Sequence, residues 1–263
     1  MRGEISFGSR VPTALRQLIR NVSRKPVVKE IRRVFGDWRR RHSSIAWGDL
    51  RRLQPVSRSF GLDRGQPIDR FYIENFLQQN ATHIAGEVLE VGDDTYTRRF
   101  GGARVTTSHV LHALPGNPAA TLIGNLESGE SIPKGRFSCM LLTQTFFCIY
   151  DVRAAIRNSY EALATDGVLL ATLPGICQIS RYDMDRWGDF WRFTNLSARR
   201  LFGEIFGEQN VEVKSYGNVL AATAFLQGLA SSELRTTELD FHDPDYEVLI
   251  TVRAVKRDGL HTR

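Results

Sequence analysis

The sequence predicts an α/β protein organised around a doubly wound parallel sheet, and three features carry that prediction. The run Glu87-Val88-Leu89-Glu90-Val91 stops at Gly92 and gives way to the polar turn Asp93-Asp94-Thr95-Tyr96. Strand-like and helix-period segments then alternate over residues 103–173. Further along, a helix-period stretch is followed by two more strand patterns.

Taken in order, the first strand ends at Gly92, where a glycine permits the sharp exit that an α/β site requires. Residues 103–107 (Ala-Arg-Val-Thr-Thr) read as a second strand, 120–123 as a third and 137–142 as a fourth. Residues 152–163 have helical spacing, and the turn Thr165-Asp166-Gly167 introduces a fifth strand over 167–173. Strands that alternate with helical segments pair in parallel through right-handed crossovers. Residues 196–206 form the next helix, 211–213 a sixth strand and 246–255 a seventh.

The chain has 263 residues, 42% of them hydrophobic and 24% charged, enough to enclose one large core with an appendage. Apolar runs fall short of the roughly 18 residues that span a bilayer, and the N-terminus lacks the apolar stretch of a secretory signal, so a cytoplasmic location is expected. Cys139, Cys148 and Cys177 lack metal-ligand spacing and read as reduced thiols.

Charge is unevenly shared. Residues 1–60 hold 15 of the 35 Lys/Arg and 4 of the 29 Asp/Glu, a surplus of +11 that leaves −5 on the remainder. We read residues 1–65 as a basic helical extension and 66–263 as the catalytic domain. Within the extension, Leu15, Leu18, Ile19 and Val22 share one helical face, and Val27, Ile31, Val34, Phe35 and Trp38 share another. Such faces pack on the catalytic domain or on a second copy in a homodimer, or form a lid beside a substrate pocket. A third use is attraction to phosphate on an anionic membrane surface or nucleic acid. No nucleic-acid module with interleaved aromatics is present, which ranks RNA or DNA last.

The stretch Glu90-Val91-Gly92-Asp93-Asp94 resembles motif I of the class I S-adenosylmethionine-dependent methyltransferases, an acid and two glycines at alternate positions. Asp94 and Tyr96 stand where glycine is common. The resemblance covers about residues 69–256 and implies a Rossmann-like sheet of seven strands, the last antiparallel, with S-adenosylmethionine as cofactor. Residues 188–194 (Gly-Asp-Phe-Trp-Arg-Phe-Thr) resemble a stretch of members that modify sugars and small metabolites.

It further implies that Glu90, Gly92, Asp94 and Tyr96 lie along the donor. The ribose position falls at Ser108 and His109, where the family carries a carboxylate, and Gly124-Asn125-Leu126 replaces the usual Gly-Asp-Leu beside adenine. Thr143 and Gln144 border the cleft after the fourth strand. On the acceptor side the aromatic and charged stretch 181–192 offers Tyr182 and Asp185 for catalysis, and Trp187, Trp191 and Arg192 for binding. His242 is a candidate base, although Asp243-Pro244-Asp245 beside it also reads as a plain turn.

The histidines are scattered and no metal is expected. Asp183, Asp185 and Asp189 would hold a cation only if their loop folded inward. Phosphate-loop, serine-nucleophile and Gly-x-Gly-x-x-Gly signatures are absent, as is the Asn/Asp-Pro-Pro-Tyr of nucleic-acid amino-methylating enzymes. The expected activity is O-methylation of a small-molecule or sugar acceptor, in natural product biosynthesis or glycan assembly. The alternative is a methyltransferase-like protein that catalyses another reaction, such as cyclisation, or only binds ligand. Asp94 and Tyr96 at glycine positions, with no ribose carboxylate, motivate it.

Overall fold

The computed structural model describes residues 48–257. The helical faces read within residues 15–38 lie outside the described residues. Gln54 begins a compact unit that contains the whole sheet, and the short exposed turn Gly48–Leu50 precedes it.

Seven strands form one sheet in the order β3-β2-β1-β4-β5-β7-β6. They are β1 (Gly86–Val91), β2 (Val105–His112), β3 (Leu122–Ile123), β4 (Phe137–Thr143), β5 (Leu163–Pro174), β6 (Val211–Tyr216) and β7 (Leu249–Val255). Strands β1 to β5 run parallel, whereas β7 lies antiparallel between β5 and β6. The helices are α1 (Ile68–Gln79), α2 (Val152–Ala162), α3 (Arg181–Met184), α4 (Asn195–Phe206), α5 (Val219–Gln227) and the short α6 (Thr236–Leu239).

Period-2 alternation divides the strand side chains between two cores. Leu89, Met140, Leu142 and Leu169 point to the face that packs with Ile156 of α2 and Phe202 and Phe206 of α4. Val88, Cys139, Leu141 and Leu170 point the other way, towards Ile73 and Leu77 of α1 and Phe225 of α5. Each buried Leu or Phe contributes about 2 kcal/mol of hydrophobic stabilisation, so both faces hold the strand ends in place.

Caps set the helix boundaries. Asp151 accepts the N–H of Ala154 at the start of α2, and Thr194 forms a capping box with Ser197 at the start of α4. Asn218 caps α5, which ends at Gly228 with φ 71°. An added Cβ at Gly228 would stand 2.3 Å from the Ser57 carbonyl oxygen, so this close chain approach needs glycine.

Strand β2 runs five residues beyond the expected end at Thr107, because pairing of Val91 with Leu111 carries the ladder through polar Ser108 and His109. Strand β5 includes the expected turn, with Asp166 at φ 63°, and β6 reaches Tyr216. Strand β7 starts at Leu249 instead of Tyr246, since Tyr246 N–H closes a turn onto the Asp243 carbonyl at 3.0 Å.

Residues 54–65, read as the end of the extension, form a strap within the sheet-bearing unit. The N–H groups of Val56 and Ser57 donate to the Gln227 carbonyl at 2.8 and 3.0 Å. Arg64 Nε donates to Glu233 at 2.9 Å, and Pro67 bridges to Ala230. Among the described residues no helix is long and apolar enough to cross a membrane.

Candidate active site

At the C-terminal ends of β1, β4 and β5 a cavity of about 490 Å³ opens between the strap, the first turn of α1 and the loop that follows β5. Its size lies in the range of small-molecule sites, and its position is where open α/β sheets bind ligands. Phe60, Ile73, Phe147, Phe225 and Val248 supply apolar wall, while Asp69, Glu90, Asp93, Asp183 and Asp189 bring five carboxyl groups against Arg70 and Arg192.

Glu90 is 3% exposed and accepts the N–H groups of Thr97 at 2.7 Å and Tyr96 at 3.2 Å. Burial pushes its pKa up to about 7, opposed by the hydrogen bonds from Thr97 and Tyr96. The side chain therefore ties the turn after β1 to the strand. Gly92, with φ 87°, makes the turn possible, and its N–H donates to the Leu111 carbonyl at 3.0 Å. Asp93 accepts the Thr95 N–H at 2.8 Å and lines the cavity. Asp94 is instead engaged by Arg98 at 2.7 Å and by the Ser108 hydroxyl at 3.2 Å, outside the cavity lining.

Tyr96 forms a wall, with its hydroxyl accepting from Arg70 Nη1 at 3.1 Å. Beside them Asp69 accepts the N–H of Arg70 at 2.8 Å. Burial raises Asp69 to about 6, although the Arg70 guanidinium and N–H pull it down. Thr143 and Gln144 close the floor at the end of β4. Gln144 has φ 47° and Phe60 φ 58°, so two of the four non-glycine residues with left-handed backbone among the described residues border this cavity. Such conformations cost about 1–3 kcal/mol each and collect at functional sites.

The roof is residues 175–194. Asp189 is its anchor, with a side chain 1% exposed that pairs with both terminal nitrogens of Arg192 and accepts the Ser180 N–H at 2.9 Å. Arg192 also donates to the Gln178 carbonyl at 2.8 Å, so most of its donors hold the roof rather than face a ligand. Gln178 Nε2 joins the roof to the strap through the Arg58 carbonyl at 2.9 Å. Burial pushes the Cys177 thiol up to about 11 and Cys148 up to about 12, which leaves both protonated near neutral pH. Tyr182 borders the cavity with its ring exposed under the Arg186 guanidinium, 3.8 Å from the ring centre.

Of the residues expected at the site, Glu90, Tyr96, Thr143, Gln144, Tyr182 and Arg192 line the cavity and the others do not. Ser108 and His109 sit in mid-strand opposite Val88 and Leu89, below the C-terminal edge, because β2 continues to His112. His109 Nε2 lies 3.8 Å from Glu87, itself paired with Arg136. Asn125 spends its side-chain oxygen on the N–H groups of Glu127 and Ser128, and Leu126 is in the core. Trp187 packs edge-on against His112 at 5.2 Å, and Trp191 Nε1 donates to the Ile149 and Tyr150 carbonyls. Asp185 ends α3, and exposed His242 meets the Ser215 hydroxyl at 3.2 Å.

Phe60, Asp69, Arg70 and Asp93 were not among the expected site residues. Asp69 lies in the first turn of the helix after Pro67, where an acid also suits the positive helix end.

The order of strands, with the seventh inserted antiparallel between the fifth and sixth, matches the arrangement implied by the motif I resemblance. The chain has the class I methyltransferase fold. Neither a protein-family model nor a curated protein matches the sequence. Several solved methyltransferase structures are similar. N-methyltransferase NodS from Bradyrhizobium japonicum WM9, solved with S-adenosylhomocysteine, is 12% identical over 77% of this chain and 94% of that one, with TM-score 0.47. An S-adenosylmethionine-dependent methyltransferase from Archaeoglobus fulgidus is 9% identical over 71% and 94%, with TM-score 0.48. Haemonchus contortus phosphoethanolamine N-methyltransferase 2, solved with S-adenosyl-L-methionine, is 13% identical over 77% and 61%, with TM-score 0.46.

Proposed function

We propose that this chain is an S-adenosylmethionine-dependent methyltransferase that methylates oxygen on a small-molecule or sugar acceptor, in natural product or glycan biosynthesis. One observation carries the reading: a cavity with a surplus of carboxyl groups opens at the Glu90–Gly92 turn of a class I methyltransferase fold. The residues fit such a donor chemically. Arg70 suits a carboxylate, Asp69 and Asp93 suit cationic groups, and Phe147, Phe225 and Val248 exclude water.

Held at the Glu90–Gly92 turn, S-adenosylmethionine would supply an electrophilic methyl group for a new bond to the acceptor oxygen, whose proton would pass to water. This chain's part is alignment and desolvation. Glu90 keeps the turn after β1 in place through Tyr96 and Thr97, and the Asp189–Arg192 pair keeps the roof over the cavity. Tyr182 at the border offers an aromatic face to an acceptor.

The rival reading, a chain that has given up methyl transfer, starts from the end of β2, where His112, Ala113 and Leu114 offer no carboxylate for ribose. Isothermal titration of the full chain with S-adenosylmethionine and S-adenosylhomocysteine separates the two readings. Dissociation constants of about 1–100 µM are expected. Failure of the folded protein to bind either compound would leave the cavity to another ligand.

A further inference from the structure

We propose that the indole of Trp187 is a placeholder for the nucleoside of the donor: its contact with His112 holds the 180–189 loop closed across the end of β2, and the donor displaces it on entry. The inference rests on the methyl-donor reading above and adds a regulation of that same site.

The loop is held unevenly. Its neck is pinned, because the Ser180 N–H donates to Asp189, the Phe190 N–H to the Phe147 carbonyl and the Phe193 N–H to the Pro174 carbonyl, each at 2.9 Å. Its tip is not. Among the described residues, every hydrogen bond made by residues 181–188 stays within 180–188. The Met184 N–H turns back to the Ser180 carbonyl, those of Arg186, Trp187 and Gly188 converge on the Asp183 carbonyl, and Arg186 Nη1 donates to the Tyr182 carbonyl. The tip meets β2 instead through a ring contact, half-buried Trp187 standing edge-on to His112 with centres 5.2 Å apart and planes at 84°. Tip and neck join at Gly188, whose φ of 107° suits glycine and where an added Cβ would stand 2.2 Å from the Phe190 ring.

Position gives this contact its meaning. The loop leaves β5, so it reaches His112 only by crossing the ends of β4 and β1, about 14 Å at three strand spacings. The turn after β1 and the end of β2 are neighbours: the Gly92 N–H donates to the Leu111 carbonyl at 3.0 Å, and Asn117 Nδ2 to the Gly92 carbonyl at 2.6 Å. His112 follows Leu111 directly, so a molecule held at the Glu90–Gly92 turn has His112 and Trp187 beside it. In doubly wound sheets the sugar of a nucleoside held at the first turn lies over the end of the second strand. On the other side the cavity is walled by Phe147, Asp189 and Arg192. Nucleoside and indole therefore claim the same space. Adenine offers a flat ring in exchange for the one displaced, and the pinned neck keeps Asp189 and Arg192 in the wall while the tip lifts.

The test has two parts, both on the full chain. Trypsin cleavage after Arg186 is followed by mass spectrometry with and without saturating S-adenosylhomocysteine, and the unaltered protein, Trp187→Ala and Trp187→Phe are titrated calorimetrically with the same compound. Lifting the tip frees its backbone, so the ligand is expected to speed cleavage after Arg186 about threefold or more. Trp187→Ala removes the placeholder and is expected to bind about fivefold more tightly, the size of one ring pair. Trp187→Phe keeps a ring on His112 and should stay within about twofold of the unaltered protein. A ring that merely propped the roof has the opposite sign, since its loss would loosen the wall and weaken binding.

Protection of Arg186 by the ligand, or unchanged or weaker binding in Trp187→Ala, would each overturn the proposal and leave the methyl-donor reading standing. Absence of binding in the unaltered chain and in Trp187→Ala alike removes that reading and this one together. Because cleavage after Arg186 is read on the unaltered protein, the proposal is tested even where Trp187→Ala fails to fold.

Discussion

Two neighbouring regions of the sheet's C-terminal edge treat their polar groups in opposite ways. Beyond β2 and β3 the chain closes upon itself: Asn125 holds the N–H groups of Glu127 and Ser128, Asn158 donates to the Leu126 and Glu127 carbonyls, and Glu127 accepts the Asp151 N–H. Beyond β1, β4 and β5 it stays open around a cavity of about 490 Å³, with Asp69 raised by burial and left-handed backbone at Phe60 and Gln144. Both regions are polar in sequence. Left-handed backbone also occurs in the closed region, at Ser131 with φ 58°, so what distinguishes the site from a well-made connection is the charge gathered around its cavity.

The most severe way to break this contrast is to remove the anchor of the open region. Asp189→Ala strips the partly buried Arg192 of its carboxylate and leaves the Ser180 N–H without its acceptor. A loss of about 3 kcal/mol is expected, because deleting one member of a buried pair leaves an uncompensated charge. Urea unfolding measures that loss, and titration with S-adenosylhomocysteine should show weakened binding as the roof loosens. Unchanged stability and affinity would mean that the roof is held from elsewhere.

Glu90→Gln probes the same region more gently, through pH. A carboxyl whose pKa rises on folding from about 4.5 to about 7 holds its proton more tightly in the folded chain. Its contribution to stability is thus complete below about pH 4.5 and is lost as pH rises through 7, at a cost of about 2 kcal/mol between pH 5 and 7. The amide introduced by the substitution cannot titrate, so the variant should lack that part of the decline, while the Asp69 contribution, centred lower, persists in both proteins. Denaturant curves at pH 5, 6, 7 and 8 check this; parallel profiles for the two proteins would deny Glu90 its raised pKa.

How much of this was readable beforehand follows the same physics. Strands β1 and β4 are legible because both faces are covered and apolar side chains predominate up to Gly92 and Thr143, with Glu90 the exception in β1. Glu90, Tyr96, Thr143 and Gln144 were expected at the site because they lie at or just after strand ends in the chain, and all four line the cavity. Strand β2 was cut short because Thr106, Thr107, Ser108 and His109 are polar, and only pairing with β1 reveals that they continue the ladder to His112. That error moved the expected ribose contact below the edge where ligands bind. Asp69 and Arg70 were missed for a different reason: they precede β1 and reach the cavity only because α1 packs across the sheet through Ile73 and Leu77. Helix α5 was not read as a helix either, since Val219–Gln227 is apolar nearly all round and has little periodicity to detect.

The smallest effect sharpens the comparison from the closed side. In Asn125→Ala the Glu127 and Ser128 N–H groups lose their side-chain acceptor, but the turn retains the Asn125 N–H to Glu130 carbonyl bond at 3.0 Å and the Gly129 N–H to Asn125 carbonyl bond at 2.8 Å. The lost bonds are exposed, so water replaces them in part and the expected destabilisation is about 1 kcal/mol. Because Asn125 does not line the cavity, affinity for S-adenosylhomocysteine should stay within about twofold of the unaltered protein. A tenfold loss of affinity with intact stability would instead place the end of β3 in the ligand site, and the division between an open and a closed region would disappear. The decisive quantity is accordingly the ratio of the two losses: the closed region should lose stability without affinity, whereas Asp189→Ala should lose both.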